Sequence, residues 1–176
     1  MKILCPDYVK NILDTFHQAG FQAYIVGGCV RDALLNLTPK DYDVTTNAKP
    51  EQVQALFERT IPTGIAHGTI TILSDQPVEV TTFRQESMYS DHRHPDHVAF
   101  VNDLTEDLAR RDFTINAMAY NDRSGLVDEF DGVGDLKKGI IRCVGDAGQR
   151  FDEDALRMLR AVRFSGQLGF VIEPDT

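Results

Sequence analysis

Asp41 and Asp43 are the residues of this sequence whose type and spacing most directly suggest chemistry. The segment 41–46 alternates with period two and carries β-branched residues, which predicts a strand. Residues i and i+2 of a strand project from the same face, so both carboxylates could reach one point. Such a pair offers the hard oxygen ligands that Mg²⁺ prefers. Glu79, on another predicted strand, could supply a third carboxylate. The alternative interpretation of a bare D-x-D pair is a solvated acidic strand end.

Phosphoryl transfer is the chemistry that carboxylate-bound metal ions would serve. Two ions about 3.5–4 Å apart let one ion activate an attacking oxygen while the other stabilises the leaving group. Gly27 and Gly28 fit this chemistry, because they separate the predicted strand 23–26 from a helix and expose backbone N–H groups to phosphate oxygens. Arg31, one turn into that helix, could add a charge-assisted hydrogen bond. A tight turn followed by a surface arginine is the alternative interpretation.

Asp154 and Arg157 form a second candidate pair, spaced i, i+3 on one predicted helix, where side chains are neighbours. A carboxylate accepts from an exocyclic amino group and a guanidinium donates to ring acceptors, which matches cytosine and adenine. Uracil and guanine present the reverse pattern. An ordinary intrahelical salt bridge is the alternative. Arg160 and Arg163 continue the spacing and could follow a triphosphate or an RNA end, or lie on a solvated face.

The charge distribution favours a small anionic ligand over extended nucleic acid. The net charge of −9 argues against a chain that binds nucleic acid over its whole surface. The arginines are nevertheless clustered, since Arg110 and Arg111 are adjacent and three more follow at every third position from Arg157. A local basic site on an acidic body suits a triphosphate.

Other catalytic motifs receive little support. The sequence contains no GKS or GKT phosphate loop, no H-E-x-x-H and no G-x-G-x-x-G, so P-loop, zincin and Rossmann interpretations are not favoured. His92, His94 and His97 invite a zinc site, but no cysteine accompanies them, which disfavours it. His67 is interpreted as a turn residue.

The cysteines and the hydrophobic content predict a cytoplasmic protein without a membrane segment. Cys5, Cys29 and Cys143 are odd in number and never form a C-x-x-C pair, which is typical of reduced, mostly buried thiols. Hydrophobic residues make up 42%, and no stretch approaches the ~20 apolar residues that span a bilayer. The N-terminus lacks the features of a secretory signal.

The elements that position the candidate residues follow a predicted α/β pattern. Val9, Ile12, Leu13 and Phe16 predict a helix that ends near Gly20. Further predicted helices begin at Lys49-Pro50-Glu51, cover 104–119 in one or two pieces, and cover 146–168 with Leu156, Leu159, Val162 and Leu168 spaced for packing. The further predicted strands are 69–73, 78–83, 98–101 and 140–144, with a mobile polar loop at 85–97.

Four motifs in a fixed order carry a resemblance to a known family. They are Gly27-Gly28-Cys29-Val30-Arg31-Asp32, the Asp41/Asp43 pair, Arg110-Arg111-Asp112-Phe113-Thr114-Ile115-Asn116-Ala117 and Glu153-Asp154-Ala155-Leu156-Arg157. Together they resemble the class II tRNA nucleotidyltransferases, the bacterial CCA-adding group with its sister poly(A) polymerases. The resemblance covers nearly the whole chain.

The resemblance implies an α/β (α+β) fold, with a polymerase-β-like nucleotidyltransferase head built on a mixed sheet. A composition shift near Gly145 is the predicted domain boundary, so that residues 1–145 form the catalytic head and 146–176 the start of an α-helical neck. Because the chain stops at Thr176, early in that neck, we expect it to be a fragment of a longer enzyme.

The resemblance also implies roles for individual residues. It assigns Asp41 and Asp43 to metal binding and Glu79 to the third acidic position. It places Gly28, Arg31 and Arg111 on the phosphates and sugar of the nucleotide, Asp112 near the ribose 2′-hydroxyl, Asp154 and Arg157 on the base, and Arg160 and Arg163 along the same pocket. The loop 85–97 matches the flexible loop of the family.

The implied reaction is template-independent addition of CMP and AMP to the 3′ end of a tRNA. CTP, ATP and the tRNA end would be the partners, Mg²⁺ the cofactor, and pyrophosphate the second product. A poly(A) polymerase, or an enzyme that adds only CC or only A, shares all four motifs and stays open. A nucleotide-binding module without catalysis also stays open. The sequence does not indicate an oligomeric state.

Overall fold

The computed structural model describes residues 2–176, in which helices and strands mix as the predicted α/β fold requires. Single turns of 3₁₀ helix cover Ile65–His67 and Thr114–Asn116. The helices are α1 (Asp7–Gln18), α2 (Gly28–Leu34), α3 (Pro50–Leu56), α4 (Leu104–Ala109), α5 (Gly132–Lys138), α6 (Ala147–Glu153) and α7 (Leu156–Leu168). The strands are β1 (Ala23–Val26), β2 (Asp43–Thr46), β3 (Thr60–Gly64), β4 (Thr69–Leu73), β5 (Pro77–Thr82), β6 (Arg84–Ser87), β7 (His97–Phe100), β8 (Ala119–Asn121), β9 (Gly125–Val127), β10 (Ile140–Ile141) and β11 (Val171–Ile172).

The central sheet has seven strands in the order β3-β4-β5-β2-β1-β8-β9. Strands β2 and β5 pair in parallel, while the other neighbouring strands of this sheet pair antiparallel. The sheet is therefore mixed, and the predicted fold class is confirmed. Two smaller pairs lie outside it, β6 with β7 antiparallel and β10 with β11 parallel.

Strands β2 and β5 direct their apolar side chains to the core and their acidic side chains away from it. Val44 of β2 and Val80 of β5 are register partners and are buried in the main hydrophobic core. Asp43 and Glu79, each one residue earlier, are exposed. The alternation follows from the period of two in a strand. The same hydrophobic pattern that fixes the register therefore also fixes where the carboxylates lie.

Helix α1 confirms the apolar spacing seen in the sequence. Val9, Ile12, Leu13 and Phe16 are all buried in the main core. Gly20 follows the helix with φ of 85°, a left-handed conformation that glycine adopts without steric cost. The predicted end of this helix is therefore correct within two residues.

Two predicted boundaries near the site are wrong. The strand predicted from Asp41 begins only at Asp43, so Asp41 precedes β2. The helix predicted over 104–119 ends at Ala109, because the following segment pairs with the β10 region instead. Phe113 bridges to Cys143, the Thr114 N–H donates to the Arg142 carbonyl, and strand β8 begins shortly afterwards.

The polar segment 85–97 is only partly a loop. Residues 84–87 and 97–100 pair as the β6–β7 hairpin, which leaves residues 88–96 to connect them. The strand β6 carries no apolar stripe because its inward side chain, Glu86, is buried in ion pairs with Arg84 and Arg110. Hydrophobic periodicity cannot reveal a strand that packs through charge.

The C-terminal helical segment divides into α6 and α7, and its predicted packing face is largely wrong. Leu156, Leu159 and Val162 are 38%, 67% and 63% exposed. The residues of α7 that face the core are instead Arg157, Ala161 and Phe164. Leu168 does pack against the core, as predicted. The hydrophobic periodicity correctly predicted helix α7 but predicted the wrong buried face. The reason is that the buried face contains Arg157, which a hydrophobic pattern does not count as a core residue.

Several short elements were not predicted at all. Strands β8 and β9 have three residues each, and β3 is an edge strand whose residues are mostly exposed. Helix α5 lies in the Gly-rich segment. Such elements are stabilised by their neighbours rather than by their own pattern.

The cysteines lie in the interior, as predicted. Cys5, Cys29 and Cys143 are buried free thiols, and burial is the largest cause that raises the pKa of Cys29 to about 12 and of Cys143 to about 11. Within residues 2–176, none of the helices has the length and apolar character needed to cross a membrane.

The packing of α7 predicts a contrast between two of its residues. Phe164 is 5% exposed and packs edge-to-face on Phe113 with ring centroids 5.9 Å apart. We expect Phe164→Ala to lower the free energy of unfolding by about 3–5 kcal/mol, because it leaves a cavity. The matched control Leu159→Ala should change it by less than about 0.5 kcal/mol. Urea denaturation of the 176-residue chain measures both, and equal losses would contradict this packing.

Candidate functional site

Three carboxylates converge at the β2–β5 pair. Asp43 and Glu79 are register partners on these parallel strands, so their side chains lie side by side on the same face. Asp41 lies two residues ahead of Asp43 and is exposed. Desolvation first, and then the negative charges of Asp41 and Glu79, raise the pKa of Asp43 to about 6, while the charge of Arg111 opposes the shift. The carboxylates therefore share one electrostatic environment, although Asp43 keeps some surface exposure.

This carboxylate set fits a divalent cation whose remaining ligands come from a substrate. Within residues 2–176, no three or more His, Cys, Asp or Glu side chains form a ready-made metal cage. Mg²⁺ does not require one, since proteins usually hold it with one or two carboxylates plus phosphate oxygens and water. A cation beside Asp41 and Asp43 would offset both the burial and the charge repulsion that raise the pKa of Asp43. Asp41 and Asp43 thus fit the role of two protein ligands to Mg²⁺, with substrate phosphates and water as the remaining ligands.

The glycine turn lies next to these carboxylates and faces an arginine. Gly27 has φ of 79° and ψ of −131°, and α2 begins immediately after it. A Cβ on Gly27 would lie 3.5 Å from Nη1 of Arg111. The guanidinium of Arg111 therefore lies against the turn, and its charge reaches Asp43. Its Nε is buried without a hydrogen-bond partner in the described chain, which leaves a donor available at this point.

Arg31 is fixed inside the protein rather than projecting freely from α2. The residue is 5% exposed and donates to Asn116 Oδ1 at 2.7 Å and to Asp32 Oδ1 at 2.8 Å. Its guanidinium carbon also lies 5.0 Å from the ring centroid of Phe164. Arg31 remains close to Gly28, because a Cβ on that glycine would lie 3.5 Å from Nη2 of Arg31. The alternative interpretation of Arg31 as a surface arginine is therefore wrong, and the residue does lie close to the turn.

Asp112 is buried and held by several donors. Its Oδ1 accepts from the N–H of Phe113 at 2.8 Å and from Asn116 Nδ2 at 3.3 Å. Its Oδ2 pairs with Nη2 of Arg160 at 2.6 Å. The carboxylate is thereby oriented by both the 3₁₀ turn and α7.

An open cleft of about 470 Å³ connects the acidic strands to the C-terminal helices. It brings Glu79 together with Asp154 and Arg157, whereas Asp41 and Asp43 are not among its lining residues. The β6–β7 hairpin and its connecting loop close one side. The lining residues are Thr63, Gly64, His67, Thr69, Glu79, Arg84, Glu86, Tyr89, Arg93, His94, Pro95, Arg110, Asp154 and Arg157.

Asp154 and Arg157 share the cleft but not a helix, which corrects the predicted i, i+3 arrangement. Asp154 lies between α6 and α7, where its Oδ1 accepts from the N–H of Leu156 at 3.0 Å. Arg157 is 7% exposed and pairs instead with Glu153, with 2.7 Å between Nη1 and Oε2. Its Nη2 also donates to the carbonyl of Arg110 at 3.2 Å. The break between the helices frees Asp154 from Arg157, so both can face a ligand.

The structure does not bring Arg160 and Arg163 into this cleft. Their guanidinium carbons lie 5.4 and 4.9 Å from the ring centroid of Phe164, and Arg160 pairs with Asp112. Neither residue belongs to the cleft lining. The three-residue spacing rotates successive arginines around the helix, which separates them from Arg157.

Two of the loop histidines contact oxygen atoms of aspartate residues. His94 Nδ1 lies 2.8 Å from Asp91 Oδ2, and His92 Nδ1 lies 2.7 Å from the Asp152 carbonyl. Both side chains are exposed. The carbonyl of His67, in the 3₁₀ turn, accepts from Nη1 of Arg84. These contacts connect the loop to α6 and to the cleft wall.

Two acidic residues of the site were not assigned from the sequence. Asp107 and Glu153 each precede an arginine of the site by four residues, namely Arg111 and Arg157, and each pairs with it. The i, i+4 spacing on a helix was the available signal. In the sequence this signal competes with the i, i+3 spacing of Asp154, which lies next to Glu153, from Arg157.

The chain matches the family of the poly A polymerase head domain over residues 23–142. That range includes the glycine turn, the acidic strands and the segment from Arg110 to Ala117. It ends before Asp154 and Arg157.

Individual relatives extend the similarity to the C-terminal helices. The chain is 57% identical to the CCA-adding enzyme of Leuconostoc mesenteroides over 168 residues, which cover 95% of this chain and 42% of that protein. It is 56% identical to the CCA-adding enzyme of Limosilactobacillus fermentum over the same shares.

Solved structures show the same fold. A crystal structure of the Bacillus stearothermophilus CCA-adding enzyme in complex with CTP has a TM-score of 0.90 and 44% identity, covering 98% of this chain and 42% of that one. A tRNA nucleotidyltransferase complexed with a primer tRNA and an incoming ATP analog has a TM-score of 0.76 and 34% identity, covering 94% and 47%. The chain thus spans about two fifths of the length of the curated relatives it matches, 42% for each of the two above.

The glycine turn generates a stability prediction. Gly27 occupies a backbone region that side-chain-bearing residues rarely adopt, and its Cα faces Arg111. We expect Gly27→Ala to cost about 1–3 kcal/mol of unfolding free energy. The control Gly166→Ala lies in exposed helix with open space around it, so it should stabilise by up to about 1 kcal/mol. Thermal denaturation compares them, and a neutral Gly27→Ala would rule out the strained turn.

Proposed function

Because this chain belongs to the family of the poly A polymerase head domain, we propose that it is the nucleotide-transferring head of an enzyme that adds CMP and AMP to the 3′ end of a tRNA. The similarity to CCA-adding enzymes supports this function. The observation that carries it is the in-register pairing of Asp43 with Glu79 beside a cleft that Asp154 and Arg157 line.

The proposed reaction is attack by an RNA 3′-hydroxyl on the α-phosphate of CTP or ATP, with release of pyrophosphate. Asp41 and Asp43 would hold Mg²⁺, which lowers the pKa of the attacking hydroxyl and neutralises developing charge when bound. Glu79, the neighbour of Asp43 at the cleft wall, supplies the third acidic position. Burial first, and then the negative charges of Asp41 and Glu79, raise the pKa of Asp43, and this cost to the charged form is what favours a cation here.

Arg111 and the glycine turn are assigned to the triphosphate. The guanidinium of Arg111 lies against Gly27, where an added Cβ would be 3.5 Å from its Nη1, and its charge acts on Asp43. Arg31 would support the same phosphates from inside α2. Asp112 is assigned to the ribose 2′-hydroxyl. Arg160 is paired with Asp112, so we assign it to orienting that carboxylate rather than to the nucleobase.

Asp154 and Arg157 are assigned to base selection. A carboxylate that accepts from an amino group, beside a guanidinium that donates to a ring nitrogen, matches cytosine and adenine alike. Uracil or guanine would leave polar groups unsatisfied, at a cost of about 1–3 kcal/mol for each neutral group. Glu153 supports this role because it fixes the guanidinium of Arg157 at 2.7 Å.

The proposal extends to the organisation and location of the protein. We assign residues 1–145 to the catalytic head and residues 146–176 to the start of a helical neck, with α7 packed on Phe113 of the head. We also assign the protein to the cytoplasm, which the three buried free thiols favour.

A poly(A) polymerase, or an enzyme that adds only CC or only A, is the second candidate function. The intact protein would be incubated with tRNAs that lack one, two or three terminal nucleotides, with CTP or ATP supplied singly. Ordered addition of two CMP and then one AMP supports the proposed function. Repeated AMP addition, or addition that stops after CC, assigns the protein to the alternative.

The position of Asp43 on β2 leads to the prediction that one substitution removes nucleotide incorporation but not triphosphate binding. Asp43→Ala should abolish nucleotide incorporation, because it removes a metal ligand, while the affinity for triphosphate stays largely unchanged. Single-turnover primer extension and calorimetry with the intact protein measure the two properties. The control Asp75→Ala removes an exposed carboxylate from the turn between β4 and β5 and should leave both unchanged. Incorporation at the wild-type rate by Asp43→Ala would refute the metal assignment.

Base selection predicts an order of nucleotide affinities. Calorimetry should show that MgCTP and MgATP bind more tightly than MgUTP and MgGTP, by about tenfold or more for each mispaired group. In Arg157→Ala this preference should be lost, since the donor to the ring nitrogen is removed. Equal affinity of the unsubstituted protein for all four nucleotides would contradict the assignment of Asp154 and Arg157.

A further inference from the structure

Asp107 of α4 is a fully buried carboxylate that joins three parts of the site. Its Oδ1 accepts from the backbone N–H of Arg84 at 3.2 Å and from Nε of Arg110 at 3.0 Å. Its Oδ2 accepts from Oγ1 of Thr45 at 3.0 Å and from Nη2 of Arg111 at 3.2 Å. Asp107 itself has 0% exposure. One side chain thus satisfies donors from three separate chain segments.

The partners of Asp107 lie directly beside the candidate catalytic residues. Thr45 belongs to β2, two residues after Asp43. Arg84 opens β6, just after the strand β5 that carries Glu79. A shift of Asp107 would therefore be transmitted to both acidic strands and to the arginine that faces the glycine turn.

Arg111 depends on Asp107 for its orientation. Within residues 2–176, Asp107 is the acceptor that the guanidinium of Arg111 contacts, and Nε of Arg111 is buried without a partner. The opposite edge, Nη1, lies against Gly27. An arginine held by one carboxylate on one edge presents its other donors in a fixed direction.

The charge of Asp107 is maintained by its neighbours. Burial acts to raise the pKa of this carboxyl, but the positive charges of Arg110 and Arg111 outweigh burial and lower the pKa. A buried carboxylate without such partners would be strongly destabilising. Asp107 therefore stays ionised and keeps its ion pair with the guanidinium of Arg111.

We propose that Asp107 is a positioning residue for nucleotide binding, which holds the Arg111 guanidinium against the Gly27–Gly28 turn so that a triphosphate meets a preset positive charge beside Asp43. This inference rests on the proposed function, because it assigns the triphosphate to that turn. Asp107 acts through Arg111 and does not itself touch the nucleotide.

Steady-state kinetics of the intact protein test this role. Asp107→Asn should raise KM for CTP and ATP by about tenfold, because Arg111 loses a charged anchor, while kcat changes by less than about threefold. In an Arg111→Ala background the same substitution should have no further effect on KM. Multiplicative effects of the two substitutions, or an unchanged KM in Asp107→Asn, would overturn the inference.

Two further variants separate positioning from folding. Asp128→Asn alters a half-buried carboxylate that caps α5 through the N–H groups of Gly132 and Val133, and it should lower stability without changing KM. Thr45→Val removes a single hydroxyl donor from Asp107. If Asp107→Asn does not fold, Thr45→Val should still raise KM by about twofold to threefold, and an unchanged KM would overturn the inference.

Failure of the proposed function gives a different result from failure of this inference. If the unsubstituted protein incorporates no nucleotide, the proposed function fails. Calorimetric binding of MgCTP then tests Asp107 alone, with weaker binding in Asp107→Asn than in Asp128→Asn as the supporting result. Equal binding by the two variants overturns the role of Asp107.

Discussion

The parallel pairing of β2 with β5 is the constraint on which the site depends. It sets Asp43 directly beside Glu79, and the buried pair Val44 and Val80, one residue along, prevents the register from slipping. A shift by one residue would turn the carboxylates into the core. The hydrophobic core thus holds like charges together, and burial, followed by the charges of Asp41 and Glu79, raises the pKa of Asp43. A divalent cation is the ligand that such an arrangement favours most.

Around this pair, the arginines of the site are fixed by buried carboxylates. Asp107 holds Arg111 and Glu153 holds Arg157, each from four residues earlier in the chain. Removing one partner from a buried ion pair typically costs about 3–5 kcal/mol, so these side chains have little freedom to move. The positive groups are therefore in place before the proposed nucleotide binds. Such preorganisation is what transfer of a charged phosphoryl group requires.

The sequence predicted the helices and strands correctly where the local hydrophobic pattern agreed with the packing. It failed where charged contacts replaced hydrophobic ones. Periodicity predicted α1 and β5, and the D-x-D spacing identified Asp43. Tertiary hydrogen bonds ended α4 early, and ion pairs around Glu86 produced the strand β6 without an apolar stripe. The buried face of α7 contains Arg157, which no hydrophobic pattern includes. Hydrophobic pattern thus predicted the elements that pack through apolar contacts and missed those that pack through charge.

The location of a bound divalent ion decides whether the carboxylates of β2 and β5 form a metal site. Mn²⁺ can replace Mg²⁺ and broadens the NMR signals of nearby amides, so titration of the isotope-labelled chain with Mn²⁺ and CTP would map the ion. The account predicts that broadening centres on the start of β2 and the middle of β5, around residues 43 and 79, and extends to the glycine turn. Broadening centred elsewhere, with these amides unaffected, would contradict it.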